Sequence, residues 1–367
     1  MNPSKEKGAS TEAAAEPLHC ETDIGFARWV AESGGSLAIS TYQAGFLFLV
    51  GWNGSQVSFL QRRFKRPMGL DIESGRLALA AEDGVWLFGN ASPLADSYRE
   101  PGRYDALFLP RATYYMPSLQ LHDVAFAGED IWFVNTRMSC LATLSTLHTF
   151  EPRWRPRFIS ALAPEDRCHL NGLAMRNGRP AFVTALACTD SPGGWREHRA
   201  SGGVVIDVDS HEVILSGLAM PHSPRWYRDR LWLLNAGGGE LLQVGQDGRP
   251  QVVCALPGYL RGLCFAGDYA LVAMSKIRET NIFGGMPVQS RYPELFCGVA
   301  IVDLNSGRLC GLLKFITGCT ELYDLRFLPG IRRPNVLNVE REDHAKAIFL
   351  KECGYWLRPE FEQKRSD

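Results

Sequence analysis

Three of the chain's eight histidines, His122, His169 and His222, each stand shortly ahead of an apolar hairpin, among other polar residues at matching spacings. One position before such a hairpin begins are Met68, His122, Asn171, Arg261 and Tyr323. Three positions before it are Arg66, Gln120, His169, Tyr259 and Glu321. His222, in "MPHSPRWY", falls at or near the outer of these two positions. Three imidazoles and a carboxylate suit zinc, iron, manganese or copper. The oxygens of Asn171 and Glu321 widen the choice to calcium or magnesium. On this reading His122, His169 and His222 hold a divalent metal ion with Asn171, and Glu321 is a fourth ligand or general base. Tyr323 and Arg261 complete the expected catalytic set, and arginines position a carboxylate or phosphate. The plainer alternative is a wet channel mouth whose polar side chains satisfy loop backbone.

Such residues meet only if their hairpins surround a common axis. The pattern of apolar strand, Gly/Asp turn and second apolar strand recurs at residues 69–81, 123–135, 172–184, 225–235 and 262–274. Further strand pairs follow at 202–218, 239–256 and 298–316. Each unit therefore carries four antiparallel strands, the make-up of a propeller blade. A sixth unit begins at 324–330 with no second strand after it, whereas "GSLAISTY", "GFLFLVG" and "SQVSFLQRRF" near the N-terminus are three strands lacking a first. Joined, they complete one blade and leave the ring without a free seam. The expected fold is all-β, a six-bladed β-propeller whose last blade is closed by N-terminal strands plus a C-terminal strand. The irregular stretch 90–114 is the place where a seventh blade would hide.

In a propeller, the loop entering each innermost strand and the turn from second to third strand share one face. Two long second-to-third connections, 185–202 and 275–298, therefore cover the histidines. They bring Trp195, Arg199, Lys276 and Asn281, which with Arg66 and Arg137 form the expected substrate-binding set for an anionic or carbonyl-bearing molecule. The expected function is a metal-dependent enzyme of hydrolase, lactonase or lyase type acting on a small polar molecule or peptide. The alternative is a non-catalytic module presenting its loops to a peptide or protein partner.

A net charge of −1 leaves no electrostatic footprint for nucleic acid or a membrane surface. Residues 1–22 are read as a disordered tail without a secretory signal, so the cytoplasm is the expected location. Residues 23–336 make the propeller, and 337–367 an extension read as a short helix docked on the ring, with a partner-binding segment as alternative. Cys140, Cys188, Cys254, Cys264, Cys297 and Cys310 sit in or beside apolar runs and are expected to be buried reduced thiols.

The stretch "LNGLAM" resembles the N-G-L-A turn of the gluconolactonase and strictosidine-synthase-like six-bladed propellers. That resemblance implies a metal-ligand role for Asn171, although the histidines depart from those proteins. Over most of the chain, "HLNGLA", "NAGGGEL", "LRGLCFAGDYALVAMSK" and "ELYDLRFLPGIRRPN" resemble a group of uncharacterised bacterial proteins. This second resemblance implies a propeller-like protein and no particular activity.

Overall fold

The computed structural model of the chain describes residues 17–276 and 284–357. Six sheets stand in a ring, each antiparallel at its core, and the innermost strand of every sheet packs on those of its two neighbours. The protein is a six-bladed β-propeller. Blade 1 comprises Leu70–Glu73, Arg76–Ala81, Gly84–Asn90 and Ala106–Tyr115. Blades 2, 3 and 4 start with Leu121–Ala127, Leu170–Arg176 and Pro221–Tyr227. Blade 5 runs from Tyr259–Ala266 to Leu309–Thr317. Blade 6 joins the late strand Asp324–Pro329 to Gly35–Ser40, Phe46–Trp52 and Val57–Arg63. Leu37, Ile39 and Leu47 are fully buried, so closure is welded by apolar packing as well as by ladder hydrogen bonds.

Two further strands tie down the rim. His19–Thr22 pairs with the outer strand of blade 5, so the segment read as a tail contributes a strand there. Pro334–Val336 adds in parallel to the outer strand of blade 1. A helix, Ile24–Glu32, escaped the sequence reading. Asp23 caps it, Oδ1 accepting from Phe26 N at 2.7 Å, and Phe26, Trp29 and Val30 form a short apolar stripe. That stripe fills the wedge between blades 5 and 6. The C-terminal extension carries a short 3-10 helix, Glu342–Lys346, followed by a hairpin, Ala347–Phe349 with Gly354–Trp356. It packs on the 90–106 excursion of blade 1, whose Leu94 and Tyr98 are buried, so this stretch is an insertion within a blade. All ten cysteines are free thiols; Cys188 and Cys310 are exposed, contrary to the buried setting expected for them.

Below the mouth a buried ionic cluster fills the axis. Arg225 of blade 4 donates to Asp123 of blade 2 at 2.7 Å and reaches Asp324 of blade 6 at 3.4 Å. Arg326 bonds Asp324 at 2.8 Å and Asp71 of blade 1 at 3.1 Å. The carboxylates also accept backbone N–H groups of neighbouring blades: Asp71 from Phe126, Asp123 from Leu173, Asp324 from Leu70. Arg225 donates further to the carbonyls of Leu173 and Leu263, which brings blades 3 and 5 into the same network. Close approach of the innermost strands requires glycine: a Cβ on Gly172 would lie 2.3 Å from Pro224 Cδ.

Replacing Arg225 by alanine leaves Arg326 to neutralise Asp71, Asp123 and Asp324, which is expected to cost about 3–5 kcal/mol in urea unfolding. Arg228→Ala, which breaks only the exposed pair with Asp268, should cost about 1 kcal/mol or less. Equal losses would show that the axial cluster does not hold the ring.

Candidate functional site

A repeated backbone device builds the mouth. Arg66, Gln120, His169 and Met220 all hold left-handed φ values, between 44° and 56°, and each lies two residues before a ring position. Those ring positions are Met68, His122, Asn171 and His222. His222 therefore belongs to the inner position with His122, and Met220 takes the outer one, which corrects the register inferred from sequence. At two of these sites the turned carbonyl receives the imidazole: His122 Nδ1 lies 3.0 Å from Gln120 O, and His222 Nδ1 lies 2.9 Å from Met220 O.

These contacts fix the tautomers. Thr136 Oγ1 donates its proton to Leu170 O, so at 2.7 Å from His122 Nδ1 it acts as acceptor. Nδ1 of His122 and of His222 thus carries hydrogen, and Nε2 keeps a lone pair. His169 reaches the same state through a carboxylate, its Nδ1 lying 2.9 and 3.1 Å from the two oxygens of Asp166. Asp166 is in turn held by Trp195 Nε1 at 3.0 Å, and the Trp195 ring packs 4.3 Å from the His169 ring. Asp166 and Thr136 stand outside the predicted site set. The D-x-x-H spacing of Asp166 and His169 was the available signal for the former.

The side chains converge from five blades. Ring centroids of His122 lie 4.8 Å from His169, 6.5 Å from His222 and 5.3 Å from Tyr323. Arg261 sits over the Tyr323 ring at 5.1 Å and donates to Glu321 Oε1. Glu321 thus neutralises a buried guanidinium. Burial, with the neighbouring charge of His169, holds the His122 imidazole well below the usual histidine range. Burial and the charge of Arg261 do the same to His222. Both rings are neutral at pH 7. Burial pushes the Tyr323 phenol well above its ordinary range, so it keeps its proton.

Among the described residues, six buried polar atoms on this side find no hydrogen-bond partner: Gln120 Oε1, Arg137 Nε, Asn171 Nδ2, Arg199 Nε, His222 Nε2 and Tyr323 Oη. Buried polar groups are nearly always satisfied, so such a concentration marks a place built for a ligand or ordered water. Asn171 Oδ1 accepts from Thr184 at 2.6 Å, which fixes the orientation of its amide. Trp195 is a buried brace for His169 and Asp166. Arg199 packs its Nη1 on Arg196 O, and Arg137 O accepts from Asp166 N. Arg66 is exposed and paired with Glu82 at 3.1 Å, away from the imidazoles. Lys276 is anchored through its backbone to Thr320 O, and Asn281 lies outside the described residues.

The donor set suits a divalent metal in chemistry: three imidazoles with Nε2 lone pairs, two of them held neutral by burial, and one backed by a carboxylate. As the side chains lie, no group of three or more His, Cys, Asp or Glu among the described residues is gathered tightly enough to hold an ion. A metal would have to draw the rings together.

The depressed histidines set a pH dependence. Below about pH 6.5 the unfolded chain takes up protons that folded His122 and His222 refuse, so stability falls on acidification. The slope approaches about 1.4 kcal/mol per pH unit for each histidine. Melting temperature should therefore drop from pH 7 to pH 5, and His122→Asn with His222→Asn should flatten that drop. An unchanged slope would show that neither ring is held neutral.

Comparison with known proteins follows the fold. A search of curated proteins returns no match. Among solved structures, a chain of a nidogen/laminin complex is similar at 12% identity and TM-score 0.49, covering 81% of this chain and 98% of that one. A putative gluconolactonase is similar at 11% identity and TM-score 0.46, with 81% and 98% covered. A catalytically inactive virginiamycin B lyase from Staphylococcus aureus, solved with quinupristin, is similar at 10% identity and TM-score 0.40, with 82% and 100% covered. Residues 24–337 match the family described as "Domain of unknown function (DUF4915)", and the chain belongs to that family.

Proposed function

We propose that the mouth is the active site of an enzyme of hydrolase, lactonase or lyase type, acting on a small polar molecule or peptide that carries a carbonyl group. The observation that supports this reading is the set of imidazole Nε2 lone pairs in a buried mouth, one of them, His169, backed by the Asp166 carboxylate. His169 Nε2 takes a proton from water or from a carbon beside the carbonyl. Asp166 keeps the ring in the productive tautomer and stabilises the imidazolium that forms. The Tyr323 hydroxyl and the Asn171 amide are unpartnered donors for an oxygen that gains negative charge. Arg137 and Arg199 each hold a buried Nε–H in reserve, which suits an anionic group on the substrate. A divalent ion taken up by Nε2 of His122, His169 and His222 would add Lewis-acid polarisation of the carbonyl or acidify a bound water. A reducing, cytoplasmic setting belongs to the proposal and is supported by ten free thiols.

The proposal is tested with untagged protein on a panel of lactones, esters and peptides, together with calorimetric titration of zinc and manganese. Turnover should fall about 10²–10⁴-fold in His169→Ala and substantially in Asp166→Asn. Metal affinity, where heat is seen, should fall about tenfold or more in His222→Ala and in Asp166→Asn. Turnover that survives His169→Ala at more than a tenth of the original rate removes His169 from the chemistry. Ligand binding without turnover, indifferent to both histidine variants, would favour the non-catalytic module.

A further inference from the structure

Away from the imidazoles, the segment "EPRWRPRFIS" closes the outer edge of blade 2 and leaves three arginines clustered. Arg153, Arg155 and Arg157 line one cavity of about 580 Å³ together with Ile159, Leu162 and His211. No acidic residue lines it. Among the described residues, none of the three arginines forms an ion pair; Arg153 Nε donates to Thr143 Oγ1 at 2.9 Å. The adjacent carboxylate, Glu151, feels the charge of Arg153 but is engaged by His148 at 2.9 Å and Ser145 at 3.2 Å.

The opposite wall is built at a cost. His211 holds φ at 64°, a left-handed conformation uncommon for a residue with a side chain. In that conformation its ring stacks on Trp154, with centroids 5.2 Å apart and planes at 24°. Trp154 is itself pinned by Nε1 to Val208 O at 2.9 Å. His211 Nδ1 is then buried with no partner. Three like charges line one cavity, and the strained turn sets the His211 ring on its wall. An anion relieves the repulsion among the arginines.

We propose that this cavity binds a small phosphorylated molecule with at least two negative charges and a planar or apolar body, a nucleoside diphosphate being the probe. Guanidinium forks match phosphate oxygens in pairs, which an ammonium cannot do. Ile159 is buried and Leu162 is 39% exposed, so they form a floor and a rim for the body of the ligand. The volume lies in the range of small-molecule sites. This site is independent of the chemistry proposed for the mouth.

Calorimetry on the full chain with adenosine diphosphate, pyrophosphate and adenosine tests it. The diphosphate should bind, with pyrophosphate and adenosine each weaker by about tenfold or more. Arg155→Ala combined with Arg157→Ala should weaken the diphosphate about 100-fold at an unchanged melting temperature, since each lost guanidinium–phosphate bond is worth about tenfold or more. His169→Ala should leave the affinity unchanged, which separates this site from the mouth. Three results would overturn the proposal: no heat with the diphosphate at millimolar concentration, undiminished binding in the double arginine variant, or loss of binding in His169→Ala. Pyrophosphate binding as tightly as the diphosphate would remove the role given to the apolar floor.

Discussion

The axial cluster of Asp71, Asp123, Asp324, Arg225 and Arg326 is the constraint on which the mouth depends. Desolvating five charges is costly, and the cost is offset only because each carboxylate also accepts backbone N–H groups from the next blade. The cluster therefore does more than fill a hole. It ties the innermost strands together about the axis, and His122, Asn171, His222 and Arg261 stand near the start of such strands. Arg225 lies three residues on from His222, about 10 Å along the same strand, which couples the cluster to the mouth.

Above that cluster, three structural levels agree. Left-handed residues at the outer position turn carbonyls toward the imidazoles, those carbonyls fix the Nδ1–H tautomer, and burial keeps His122 and His222 neutral. Basicity is thereby reserved for Nε2. His169 differs because its partner is a carboxylate, and a carboxylate can stabilise the protonated ring where a carbonyl does so only weakly. Two imidazoles thus resist charging, while the third is oriented by a carboxylate.

Much of this was legible in the strand pattern. Alternating apolar runs and Gly/Asp turns define blades because a sheet buried between sheets needs both. The incomplete units at the two ends predicted the closure of blade 6, and the spacing ahead of each innermost strand picked out His122, His169, Asn171, Arg261 and Tyr323. The register of His222 was misjudged because Ser223 and Pro224 replace the Gly–Leu that marks the strand start in blades 1, 3 and 5. Helix Ile24–Glu32 was missed because nine residues present only about two and a half turns of periodicity.

The sequence by itself determined the ring, its closure and the slots from which polar side chains enter the mouth, because these follow from local hydrophobic alternation and turn chemistry. Only the tertiary structure decided which charges meet. That Arg225 serves Asp123 and Asp324, and that Glu321 meets Arg261, depends on how side chains from different blades come together. Strand periodicity places a residue on a face. It does not carry the angle between one blade and the next, and across a channel that angle chooses the partner.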